Sequence, residues 1–362
     1  MKRTLITALA IVCLFGLAAY IALMNVAKLQ DKVFQRAMLA KVSSSRESLY
    51  NSDSLDLVFC GSGSPMPDPK RKQACIAVFA GDQFYLIDTG PGSAPRLSNM
   101  GVPTGGLKGV LWTHYHSDHI GGIGEVILNS WAGGRKAPLD IWGPAGVEQV
   151  VSGFNQAYAL EFSYRTAHHG PGIFPADGSR LIPHRVDVPS EQDSVIILDQ
   201  DGLKITAFLV DHRPIEPALG YRIDYRGRSA IFSGDTVNTP NMVRYGKDVD
   251  VMVHEALSTT ITGIMAQVMD ASGQPNRANI LREVPAIHTL PAEAVRTANE
   301  ANAQLLVFSH IVPPVLNRLM EKMFMRGLDE IRDPATTLLG FDGLHLSLPV
   351  GSDKIQVSAI NR

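Results

Sequence analysis

Cysteine is scarce in this chain. Of 362 residues only three are Cys, and no two stand in a Cys-x-x-Cys pair, which excludes a thiolate zinc ribbon. Cys13 lies in an apolar N-terminal run, while Cys60 and Cys75 sit in strand-like apolar stretches. If those strands are neighbours, an oxidising compartment would allow a bridge. Buried cysteine usually behaves as a small apolar residue, however, and two free thiols are the expectation. Net charge is lacking too: 33 Lys and Arg face 35 Asp and Glu, a balance of -2. That offers no basic footprint for neutralising phosphates, so nucleic acid is not the expected partner. No internal repeat stands out either.

What the chain does have is a long apolar run, Leu5 to Ala27, broken by Thr7, Tyr20 and Asn25 and preceded by Lys2 and Arg3. It exceeds the ~7–15 residues of a signal-peptide core and reaches the ~20 that a bilayer span needs. Residues 1–27 are therefore expected to form an uncleaved signal anchor, a single transmembrane helix; cleavage near Gly16-Leu17-Ala18 is the alternative. Residues 28–54 read as a helical stalk and linker. Val26, Leu29, Val33, Ala37 and Ala40 recur at helical spacing, and Ser43-Ser44-Ser45 and Asn51-Ser52-Asp53-Ser54 mark a flexible entry to the domain at 55–362. The expected location is the inner membrane, single-pass, with the domain on the periplasmic or extracellular side. A homodimer is left open.

Short apolar runs dominate the start of the domain: Leu55–Phe59, Cys75–Phe79, Phe84–Ile87 and Val110–Trp112. Helical patterns follow over Ala145–Ala159 and Pro291–Ala303. Strand hairpins first, then strands alternating with helices, predict an α/β chain with a mixed sheet system covered by helices. Arg165 to Gln192 and Ser258 to Pro285 read as insertions, either lids or surface decoration. Asn317 to Arg332 reads as an amphipathic helix. His168, His169 and His184 read as solvated loop residues, and His345 as the outward face of a terminal strand.

The chemistry concentrates in Thr113-His114-Tyr115-His116-Ser117-Asp118-His119, directly after the apolar Val110-Leu111-Trp112. Zinc takes imidazole nitrogen and carboxylate oxygen at ~2 Å. Four such donors so close together cannot all face one ion, but a sharp loop at a strand end can divide them between two. Further metal-competent residues stand where other apolar runs end: His212 after Ile205–Val210, Asp235 after Ala230-Ile231-Phe232, and His310 after Leu305–Phe308. Asp88 ends Phe84–Ile87 and is placed to orient a ligand by hydrogen bonding.

The chain resembles the metallo-β-lactamase superfamily, and within it the branch of tRNase Z and the arylsulfatase-like hydrolases. The likeness spans roughly Leu55 to Val350. Leu57-Val58-Phe59-Cys60-Gly61-Ser62-Gly63-Ser64-Pro65 is similar to that branch's opening strand and glycine loop, and Tyr85-Leu86-Ile87-Asp88-Thr89-Gly90 to its second motif. Asp211-His212 with Leu219-Gly220-Tyr221-Arg222-Ile223, then Val253-His254-Glu255-Ala256 and His288-Thr289, resemble three further motifs. The resemblance implies a four-layer αββα sandwich and two Zn2+ per chain. It implies that His114, His116 and His212 hold the first, Asp118, His119 and His310 the second, and that Asp235 bridges them. Asp118, His288 and Glu255 would be catalytic, His288 protonating the leaving oxygen while Glu255 sets its tautomer, and Asp88 and His254 would support the ligands from behind. Asp235 stands where many zinc β-lactamases have cysteine, and His116 where the di-iron redox members have glutamate, so hydrolysis is implied over redox chemistry.

One departure shapes the expected substrate. tRNase Z carries a long RNA-gripping arm in or near the interval before the bridging Asp, yet between His212 and Asp235 there is room only for a hairpin at Tyr225-Arg226-Gly227-Arg228. The expectation is therefore a membrane-anchored two-zinc hydrolase of a small anionic ester, a sulfate ester or phosphodiester. A tRNase Z-like 3′ tRNA-processing endoribonuclease and a lactonase or carboxylic ester hydrolase are the alternatives.

Overall fold

Alternation along the strands decides the layering. The structure, a computed structural model, describes residues 2–43, 46–50 and 52–360. The chain divides into two units, Met1–Arg46 and Glu47–Arg362. The first contains the helices Lys2–Asn25 and Ala27–Ser43. Ile11–Asn25 and Ala27–Ala40 are bent against each other by 92°, and among the described residues no single helix is long and apolar enough to cross a membrane. Only the two together reach that length and apolarity, so a single transmembrane helix over residues 1–27 stays an expectation. Of the expected flexible entry, residues 44, 45 and 51 lie outside the described residues.

The second unit holds β1 (Ser54–Gly61), β2 (Cys75–Ala80), β3 (Gln83–Ile87), β4 (Leu107–Leu111), β5 (Leu139–Gly143), β6 (Leu181–Arg185), β7 (Ser194–Gln200), β8 (Leu203–His212), β9 (Ile215–Tyr225), β10 (Arg228–Phe232), β11 (Val251–Leu257), β12 (Leu305–Val312), β13 (Thr337–Leu339), β14 (Leu344–Pro349) and β15 (Gln356–Ala359). They form two sheets, ordered β15-β14-β1-β2-β3-β4-β5-β6 and β13-β12-β11-β10-β9-β8-β7. The central strands are covered on both faces, which is why they read as unbroken apolar runs. In β1, Leu55, Leu57 and Phe59 point into the core between the sheets, and Val58 and Cys60 into a core under the outer helices. In β12, Leu305 and Val307 point inward while Leu306 and Phe308 meet the helices on the other side. Three apolar layers between four structural ones make the αββα sandwich. Phe59 and Phe308 are wholly buried, and truncating either to Ala would cost about 3–5 kcal/mol.

Strands β3 to β6 run parallel, as do β10 to β13. The carboxyl ends of parallel strands are where loops build sites, and here Leu219 N donates to Thr113 O at 2.9 Å across the two sheets.

Several expectations need correction. β1 and β2 pair antiparallel with a register slip between Phe59 and Gly61, which sets Cys60 beside Cys75 on the same face. They are joined as a disulfide with Cα atoms 5.1 Å apart, inside the bridging range, so they are not free thiols. The segment after Arg165 is no mere insertion, because it supplies β6. Its His184 meets Asp140 at 2.7 Å and stacks on Trp142, whereas His168 and His169 end the helix Ala159–His169. Ser258 to Pro285 forms the helices Thr259–Ala271 and Pro275–Glu283. The helix expected over Asn317 to Arg332 covers only Arg318–Phe324. His345 lies on β14, which β15 flanks, and is bonded to Asp56 at 2.8 Å.

Candidate metal centre

The loop after β4 carries its donors in two conformations. His114 and His116 lie on its extended approach, and Asp118 and His119 on the single helical turn Ser117–Ile120. His212 ends β8, Asp235 follows β10, and His310 interrupts β12. Their donor atoms converge. Those of His114, His116, His212 and Asp235 lie within 4.8 Å of one another, as do those of Asp118, His119 and His310, and those of Asp235, His288 and His310. Asp235 Oδ2 is at the hub, 3.8 Å from His114 Nε2, 3.9 Å from His212 Nε2, 3.4 Å from His119 Nε2 and 3.3 Å from His310 Nε2. Asp118 Oδ2 lies 3.0 Å from His310 Nε2 and 3.5 Å from His119 Nε2.

The backbone is strained to bring them there. Asp88 has φ 57° and His310 φ 44°, left-handed values that cost non-glycine residues energy and gather at functional sites. His310 is braced by its neighbours: Ile311 N donates to Ser62 O at 3.1 Å and Gly340 N to Phe308 O at 2.9 Å. Gly234, with φ 59°, admits Asp235 because a Cβ there would meet Leu219 O and Thr113 Cβ at 2.9 Å.

Hydrogen bonds then aim the rings. Asp88 accepts from Thr113 N, from Thr113 Oγ1 and from His119 Nδ1 at 2.8, 2.9 and 2.7 Å. Since Thr113 Oγ1 donates to Asp88, it accepts from His114 Nδ1, 3.1 Å away. His212 Nδ1 donates to Ile287 O at 2.9 Å. Each of these rings thereby turns its Nε2 toward Asp235, the arrangement that suits metal ligation. Thr113 and the Ile287 carbonyl have no signature of their own in the sequence; only the position of Thr113, directly before the histidine run, hints at its part.

The donor set fits a cation. Buried His114 Nε2, His119 Nε2, His212 Nε2 and Asp235 Oδ1 have no hydrogen-bond partner among the described residues. Buried polar atoms left unsatisfied cost ~1–3 kcal/mol each, and a positive ion would satisfy all of them. Imidazole and carboxylate donors without thiolate match zinc. Electrostatics agree. Burial, with the neighbouring His119, pushes His114 well below its usual value, leaving it neutral. Burial opposes ionisation of Asp235, yet His310 and His119 hold its carboxyl well below the ordinary range. Burial opposes charge on His119, but the carboxylates of Asp235 and Asp88 raise it well above 6.5, so a cation held on its Nε2 would take the place of a proton.

At the edge of the cluster His288 Nδ1 donates to Glu255 Oε1 at 2.8 Å. Glu255 Oε1 also accepts from Thr236 N at 3.1 Å and Thr289 N at 3.3 Å. Burial disfavours the imidazolium, but the charge and hydrogen bond of Glu255 raise His288 to about 9. His254 stands apart. Its Nδ1 donates to Glu255 O at 2.8 Å, and it belongs to none of the three donor groups. It supports the main chain of β11 instead of orienting a ligand.

Residues 84–311 match the beta-lactamase superfamily domain, and the chain belongs to the metallo-β-lactamase superfamily of hydrolases. It is 32% identical over 265 residues to a ribonuclease Z of Mycobacterium marinum, covering 72% of this chain and 88% of that one. It is 34% identical over 264 residues to a ribonuclease Z of Mycobacterium bovis, covering 72% and 87%. The crystal structure of the short form of human tRNase Z superposes with a TM-score of 0.56 at 20% identity, covering 81% of this chain and 99% of that one, a likeness of fold. These findings overturn two expectations, that the substrate is a small sulfate ester or phosphodiester and that nucleic acid is an unlikely partner. Net charge misled because it sums the whole chain and is blind to where the cations stand.

Proposed function

We propose that this chain is a zinc-dependent phosphodiesterase of ribonuclease Z type that processes the 3′ end of an RNA such as a tRNA precursor. The observation that carries the reading is Asp235 shared among two groups of aimed imidazoles, in a chain similar to proteins named ribonuclease Z. His114, His116 and His212 would hold one zinc, Asp118, His119 and His310 a second, with Asp235 common to both. Bound there, zinc supplies Lewis-acid activation of water and of phosphoryl oxygen.

The remaining work falls to this chain's own groups. Asp118 accepts a hydrogen bond from the attacking water and orients it. His288, with Nδ1 committed to Glu255, carries its second proton on Nε2 and gives it to the departing ribose oxygen. Thr236 N and Thr289 N keep Glu255 fixed, so the ring does not turn as it loses that proton.

A tRNA precursor with a 3′ extension provides the test. The expected result is a shortened RNA, with cleavage lost on chelation and restored by zinc, and two zinc atoms per chain by elemental analysis. Zinc-replete protein that hydrolyses bis(p-nitrophenyl) phosphate but leaves the precursor intact would reject the RNA reading.

Location is a separate proposal: a membrane-attached residue 1–27 segment with the catalytic unit on the outer side. It is supported by exposed Val12, Leu14, Phe15 and Leu17 and by a disulfide, which persists in oxidising compartments. Digestion of the catalytic unit by protease added outside intact spheroplasts is expected, and its protection there would overturn this location.

A further inference from the structure

The loop closed by Cys60–Cys75 runs from the metal centre into a groove of about 740 Å³. At its start Ser62 O and Gly63 meet Ile311, the residue after His310. Further on, Lys70 Nζ donates to Leu316 O at 3.2 Å, and Arg71 to Gly340 O at 3.2 Å and Val315 O at 3.0 Å. One wall of the groove is therefore the stretch that leads directly away from His310.

Cations line this groove. Lys70, Arg71, Arg96 and Arg318 stand against two acids, Glu321 and Asp342. Asp342 is already engaged, accepting from Ser62 N, Ser62 Oγ and Lys72 N, and Arg71 pairs with Asp68 at 3.6 Å. Lys70 and Arg318 have no carboxylate partner among the described residues, and Arg96 lies within electrostatic reach of the Asp342 carboxylate. Arg96 donates to Asp342 O at 2.6 Å and keeps a buried Nε unpartnered. Arg318 is exposed at the start of its helix and is engaged by none of the described residues. Meanwhile β9 and β10 are joined by a tight turn at Arg226-Gly227, so the interval before Asp235 offers no arm to grip RNA.

We infer that this groove binds the phosphodiester backbone of the RNA substrate, with Lys70, Arg96 and Arg318 as the phosphate contacts. The inference rests on the ribonuclease reading above. It places one contact, Lys70, on the loop that also braces His310, and another, Arg318, on the helix that follows the strand carrying His310. Cations released from DNA or RNA on binding make such contacts salt-dependent.

The test is steady-state cleavage of a tRNA precursor by the zinc-loaded full chain across a salt series. Arg318→Glu and Lys70→Glu are each expected to raise KM about tenfold near ~0.1 M salt, with kcat carrying little of the loss. Each should also flatten the dependence of log KM on log salt by about 0.7–1. Arg318→Lys should restore KM. Lys108→Glu, at the start of β4 and opposite the end that leads to His114, should leave KM and its salt dependence as in wild type. Unchanged KM and slope in the groove variants, or a loss confined to kcat, would overturn the groove while the reaction stands. A wild-type protein that cuts no RNA would overturn both.

Discussion

His119 Nδ1 lies 2.7 Å from Asp88 Oδ2, and the same carboxylate takes the Thr113 hydroxyl that receives His114 Nδ1. One buried acid therefore aims two rings of the loop, His119 directly and His114 through a relay. Both Nε2 atoms are left facing Asp235. Asp88→Asn keeps the size but can present only one acceptor oxygen to three donors. It is expected to weaken zinc binding about 10–100-fold, measured by competition with a chromophoric chelator. Wild-type affinity in that variant would remove the relay from the account.

His288 and Glu255 form the second relationship. If Nε2 of His288 delivers the proton, its absence must hurt most where the leaving oxygen is a poor one. His288→Ala is expected to cost about 10²–10⁴-fold on an RNA substrate and far less on bis(p-nitrophenyl) phosphate, whose leaving group needs no proton. Comparing kcat on the two substrates checks it. Equal losses on both would assign His288 to structure, not proton transfer.

Much of the fold and the candidate site was legible because burial on two faces erases polar residues from a strand until it emerges. Asp88, His212, Asp235 and His310 stand out for that reason, and the structure brings them together with the histidine loop. Helix Val147–Ala157 was readable from its 3.6-residue period. Other features depend on register or direction, which one sequence does not carry. The slip at Gly61 decides that Cys60 meets Cys75. His254 and Glu255 are adjacent in sequence, and alternation along β11 sends them to opposite faces, so only Glu255 reaches His288. The cations at Lys70, Arg96 and Arg318 are scattered over the chain and were averaged away in its net charge.

Asp342 predicts a pH dependence of stability away from the metal centre. Burial raises its carboxyl to about 6, against the hydrogen bonds from Lys72 and Ser62 that favour the charged form. A raised acid binds its proton more tightly in the folded chain than in the unfolded one. The stability it confers is therefore full below pH 3.8 and is lost as pH rises through about 6. The shift corresponds to about 3 kcal/mol. In denaturant titrations Asp342→Asn, which cannot ionise, should gain on the wild type by that order between pH 4 and pH 7. A constant difference across this range would show that Asp342 does not titrate as stated.

The disulfide supplies the last expectation. Cys60 and Cys75 are 15 residues apart, and closing a loop of that length restricts the unfolded chain by about 3 kcal/mol. Both sulfurs are buried, so alanine in place of each removes the bridge without exposing a thiol, at the added cost of a small cavity. The Cys60→Ala/Cys75→Ala double variant should lose roughly 3 kcal/mol or slightly more in unfolding titrations, with the wild type under reductant, once unfolded, losing the bridge's share but not the cavity's. The loop also holds Ile311 N through Ser62 O and thereby the left-handed turn at His310. The variant should accordingly bind zinc more weakly than its stability alone demands, which a chelator competition carried out well below its unfolding midpoint would measure. Should it bind zinc as tightly as the wild type, the strap serves stability only and His310 is held by the remaining contacts of β12.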